Sequence, residues 1–109
     1  MVATEFQASL DRALARWGRP ATLQRLNAGV VTMSLVDIPV FLRGYRADEI
    51  FQGSGISQGD SSVVMSMTDL TWAGGAPRPG DRMIVAGKTR SVQSAALRPL
   101  DEGYDIQVR

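Results

Sequence analysis

Everything after Pro20 reads as β, in short runs about ten residues apart with turn residues between them. ATLQRL alternates weakly, and VVTMSLV follows the Asn27-Ala28-Gly29 turn. IPVFLRGY is the strongest run, with Ile38, Val40 and Leu42 on one face and Phe41, Arg43 and Tyr45 on the other. Pro39 lacks a donor, so the chain is expected to meet a sheet edge, a strand start or a bulge there. SSVVMSM, PRPGDRMIVAG, KTRSVQSAAL and YDIQVR complete the set, with turns at Ala86-Gly87-Lys88 and Asp101-Glu102-Gly103. This spacing predicts a mainly β fold: a small barrel or sandwich of about six to seven short antiparallel strands, not a βαβ sheet. The long irregular stretches are 46–61 and 70–79.

Ahead of these strands, TEFQASLDRALARWGRP predicts a helix over 4–18. Thr4 and Gln7 form a capping box, and Phe6, Leu10, Ala13, Leu14 and Trp17 follow as one apolar stripe. Glu5 and Arg16 suit the two ends of the helix dipole. Gly18 is expected to take a left-handed cap, and Pro20 prevents continuation. The helix should pack on the barrel or close one end of it. Its stripe can cover its own domain or dock on a neighbour.

With 109 residues the chain is expected to form a single domain, with the barrel over 21–109. It contains no His and no Cys, which removes the usual nucleophile–base pairs and the thiolate or imidazole metal sets. No apolar run is long enough to span a bilayer, and the N-terminus lacks a signal pattern, so a cytoplasmic, non-membrane protein is expected. A net charge of +1 gives no strong field toward nucleic acid. Eleven of the twelve basic residues are Arg, which fits either interface chemistry or a genome rich in Arg codons.

The run FQGSGISQGDSSVVM brings Gly53, Gly55 and Gly59 close to a phosphate-cradling pattern. The third glycine comes one place late, a β-branched strand follows in place of a helix, and no Gly-Lys-Ser/Thr is present. A nucleotide site is therefore not expected, and neither is any cofactor or metal. A connection this long is usually functional or disordered. The 46–61 loop is expected to be a mobile arm that a partner orders. Asp48 and Glu49 would receive Arg from a neighbour, and Ile50, Phe51 and Ile56 would anchor it.

The order of motifs resembles a known family. It runs from the helix through ATLQRL, IPVFLRGY into an acidic turn, GISQGD leading into VVMS, TDL, PRPGDRMIVAGK and finally RSVQSAALRPLDEGYDIQVR. From Glu5 to Arg109 the chain is similar to the head–tail joining, or head-closure, proteins of the neck of long-tailed bacteriophages and of related prophage and gene-transfer-agent particles. That resemblance implies a non-enzymatic virion protein, monomeric when free and made in the host cytoplasm. In the particle it would form a ring beneath the portal and its adaptor, close the DNA-filled head and receive the tail terminator or tail tube. Its partners would be other copies of itself, the portal–adaptor protein, the tail proteins and the end of the packaged DNA. The loop carried over by position is 46–61, with Arg43 and Arg46 as candidate intersubunit cations. The chain stops at Arg109 directly after its last strand, so contacts that rely on a C-terminal tail are not expected.

Two other functions use the same residues. An oligonucleotide-binding small barrel would need a basic groove with stacking aromatics, for which Arg43, Tyr45 and Arg46 are the best local cluster. A carboxylate-dependent enzyme or ligand binder would need acidic residues converging in one pocket. Asp48, Asp60, Asp81, Asp101 and Glu102 instead fall in turns, where their expected role is structural.

Overall fold

A computed structural model describes residues 2–50, 53–56 and 59–109. Helix α1 spans Val2–Trp17, and the strands are β1 Arg19–Asn27, β2 Val30–Gly44, β3 Ser61–Ser66, β4 Arg82–Val85, β5 Lys88–Leu97 and β6 Gly103–Val108. They form a closed antiparallel barrel in the order β1-β2-β3-β6-β5-β4. Closure comes from β4 returning to β1, with Ala21 opposite Val85 and Gln24 opposite Arg82. The barrel and its N-terminal helix agree with the reading of the alternation, and closure decides for a barrel over a sandwich. Inward positions are filled by Leu23, Val40, Val63, Met83, Ile106 and their neighbours, all fully buried.

Strand β2 joins two runs that read as separate in the sequence. Ala21 pairs with Ile38 but Leu23 with Leu35, so Val36 and Asp37 together face the single residue Thr22. This is a bulge, and Asp37 carries the positive φ of 56° that it needs. Pro39 follows at once and sits opposite Pro20, where neither residue is asked to donate. The β1–β2 and β4–β5 hairpins close through two-residue turns, Ala28-Gly29 and Ala86-Gly87. All four residues have positive φ, the signature of a type I′ turn.

The helix lies on the outside of the barrel. Pro39, Ser66 and Gly103 alternate out of phase with the buried Ile38, Met65 and Ile106, so they face outward, and α1 covers them. A Cβ on Gly103 would come 3.2 Å from Leu10 Cδ2, and one on Gly18 would come 3.2 Å from Pro39 Cβ. Small residues thus create the seat for the helix. The Ser66 hydroxyl donates to Asp11 Oδ1, that of Thr68 donates to Asp11 Oδ2 at 2.8 Å, and Gln7 Nε2 donates to Thr68 Oγ1 at 2.6 Å. Leu14 is buried, so the stripe does cover its own domain, but Trp17 is 67% exposed with the Arg16 guanidinium over its ring. Gly18 is not in the left-handed region expected for it. Its N–H continues the helical pattern to Leu14 O at 2.8 Å, and a Cβ would lie 2.4 Å from that oxygen. Glycine is required there for close approach.

One polar cluster occupies the inner face. Arg25 falls in phase with Ala21 and Leu23 and is buried. Its Nε and Nη2 donate to the two oxygens of buried Asp81 at 3.0 and 2.8 Å. The remaining donors reach Gly74 O and, at 3.0 Å, Ala76 O, and the guanidinium stacks 4.8 Å from the Trp72 ring. The 70–79 stretch is thereby folded against the inner side of the β1–β2 ribbon.

Leu23→Ala removes a fully buried core side chain and should cost about 2–5 kcal/mol in denaturant unfolding. Leu42 packs on the core but is only half-buried, so Leu42→Ala should cost less, about 1–2 kcal/mol.

Candidate assembly surface

Beyond Gly44 the chain leaves the barrel and turns through a 3-10 helix at Ala47–Glu49. Tyr45 and Arg43 share a face, and the Arg43 guanidinium lies 5.4 Å over the Tyr45 ring. Arg43 also donates to both Glu49 oxygens, at 3.0 and 3.1 Å, while the Arg46 N–H donates to Glu49 Oε1 at 2.8 Å. Arg46 Nε stands 3.6 Å from both Asp48 and Glu49. The structure therefore brings Arg43, Arg46 and Glu49 together within one chain. Glu49 and Arg43 are engaged with each other, whereas Asp48 remains exposed. This pairing sets a carboxylate against Arg43 in the Arg43, Tyr45 and Arg46 cluster.

Of the expected apolar anchors, Ile50 and Ile56 are half-buried, and Phe51 lies outside the described residues. Gly53, Gly55 and Gly59 all have positive φ, so the glycine pattern follows from the path of the backbone. The described parts of the loop are also tied to the barrel. Gln107 Nε2 donates to Gly55 O at 2.8 Å and to Asp60 Oδ2 at 2.8 Å. Asp60, buried at the start of β3, also accepts from Arg109 Nε at 2.8 Å.

Asp60, Asp81 and Glu102 are buried and structural, but only Glu102 has its arginine nearby in sequence; Asp60 and Asp81 tie segments 49 and 56 residues apart. Their partners are Arg109, Arg25 and Arg98, at 2.8, 2.8 and 2.9 Å. Several of the arginines are thus engaged within the chain. Among the described residues, no three His, Cys, Asp or Glu side chains are grouped to hold a metal, and no helix is long and apolar enough to cross a membrane.

Among the described residues, one exposed apolar group was not singled out from the sequence. Val30, Val31 and Val36 are 65%, 41% and 67% exposed. Val30 and Val31 lie where the β1–β2 ribbon runs past the β1–β4 ladder, which ends at Gln24, and Val36 lies at the bulge opposite Thr22. The ladder to β3 starts only at Val40. A signal was present in the run of eleven uncharged residues over 26–36. Open strand edges are usually broken by charge or proline.

The Arg43 guanidinium, and after it the Arg46 N–H, hold the Glu49 carboxyl at about 2, against an ordinary value of 4.5. A lowered folded-state value means that the stabilising effect is fully present above 4.5 and is lost as pH falls through about 2. A carboxyl NMR titration should give a Glu49 midpoint near 2, moving most of the way to 4.5 in Arg43→Ala. An ordinary midpoint in the parent chain would contradict the pairing.

Comparison of the chain with protein-family models, with curated proteins and with solved structures finds no match.

Proposed function

We propose that the chain is a structural protein of the neck of a long-tailed bacteriophage or a related particle. It forms a ring beneath the portal and adaptor, closes the DNA-filled head and offers the tail its attachment surface. It works by assembly and not by catalysis, entering the virion from the host cytoplasm. Support comes from the order of motifs between Glu5 and Arg109. The structural observation that carries the reading is a closed barrel bearing a ribbon with Val30, Val31 and Val36 exposed. Exposed apolar side chains along one strand without a β3 partner suit contact between subunits. The exposed Asp48 and the half-buried Ile50 and Ile56 supply a second contact region on the 46–61 arm.

The test is removal of the gene from cells that produce the particle, followed by electron microscopy. Separate filled or leaking heads and free tails are expected, with joining restored by the purified chain. Ile56→Ser should lower thermal stability little, by about 1 kcal/mol at this half-buried position, yet weaken the restoration of joining. Intact virions without the chain would refute the neck role.

A further inference from the structure

The barrel leaves two strand edges open. Residues 30–36 of β2 pair with β1 on one side, while the β2–β3 ladder begins at Val40. On β5, the ladder to β4 ends at Ser91, and Val92 is bonded to Gly80 and Asp81. Gln93 is bulged, and residues 94–97 then pair with β6 alone. Among the described residues, no other main-chain bond reaches either edge.

Each edge holds one bulge, at Thr32 on β2 and at Gln93 on β5, but the other usual guards are missing. No charge or proline occurs over 26–36 or over 91–97. Apolar side chains flank both, with Val30, Val31 and Val36 beside one edge and Leu97 and Leu100, 48% and 41% exposed, beside the other. On the outer face the side chains are small and exposed, with Ser34 on β2 and Ser94 and Ala96 on β5. A neighbouring strand could lie against either edge without a bulky group in the way.

We infer that the β2 edge of one copy pairs with the β5 edge of the next, so that the sheet continues from subunit to subunit. The two edges are different surfaces of one chain, so this contact is heterologous and repeats around a ring or along a filament. A β2-to-β2 contact would stop at a two-fold pair and leave the β5 edge open. The inference deepens the neck reading and rests on it for the choice of a closed ring. The main-chain bonds supply the affinity, and the valines and Leu97 exclude water around them.

Because the chain has no cysteine, introduced thiols report the contact cleanly. Ser34→Cys and Ala96→Cys are made as separate variants, mixed in equal amounts at millimolar concentration and oxidised mildly. Docking raises the local thiol concentration, so the mixture should form cross-linked pairs at least about tenfold faster than either variant alone. Adding Val31→Lys to the Ser34→Cys chain should remove that advantage while leaving the unfolding transition in place. Two results would overturn the inference. One is self-linking of Ser34→Cys as fast as the mixture, which means two-fold ribbon pairing. The other is a mixture no faster than one in which Ala8→Cys, at an exposed position on α1, replaces Ala96→Cys. The readout is independent of the neck role. Cross-linking by a chain that is dispensable for tail joining would keep this contact and discard the neck reading. Essentiality without cross-linking would do the reverse.

Discussion

Arg25 and Asp81 form the interaction on which the arrangement of the other parts depends. They lie 56 residues apart in sequence, on the barrel-closing strand β1 and at the entrance to β4. A buried charge is tolerated only when it is paired and its hydrogen bonds are made. Here the carboxylate receives a two-pronged guanidinium and the Arg78 N–H at 3.0 Å, while Arg25 reaches two further carbonyls. Removing one partner from such a pair typically costs about 3–5 kcal/mol, a large share of a small domain's roughly 5–15 kcal/mol. The net benefit of the pair over an apolar core is smaller, so its larger effect is on geometry. It fixes the 70–79 stretch, Trp72 included, against one side of the ribbon and leaves the other side and its edge open.

The helix divides the outer surface in a complementary way. By covering Pro39, Ser66 and Gly103, α1 shields the outer face at β2, β3 and β6. The β2 edge over 30–36 and the β5 edge over 94–97 remain uncovered. Charges follow the same division: Arg25, Arg43, Arg98 and Arg109 are each bonded to a carboxylate of their own chain. On this accounting these four arginines are committed within the chain, and the uncovered edges present backbone and apolar side chains such as Val30 and Val31.

Local periodicity made the architecture legible. The helix α1, the alternation in IPVFLRGY and the Ala86-Gly87 turn are properties of neighbouring residues, and each appears where the sequence places it, although Trp17 at the end of the helical stripe is exposed. What was hidden depends on contacts across the chain. The two halves of β2 read as separate because a bulge and a turn both draw on residues such as Asp37. Gly18 resembled a left-handed cap, but its requirement is set by Leu14 O and Pro39. Asp81 was recognised as a structural turn residue, and Arg25 could have been matched to it only through its inward phase with Ala21 and Leu23. In the candidate site the acidic turn was legible, but the pairing of Glu49 with Arg43 was not, since it depends on how the chain bends after Gly44.

The most direct test of the clamp is amide hydrogen exchange on Asp81→Asn, which keeps the side-chain shape and removes the charge. The account predicts that amides of 23–27 and 30–35 accelerate more than those of the β3–β6 ladder, because the ribbon loses its inner support first. Equal acceleration across both regions, or ribbon amides that keep their original rates, would contradict it.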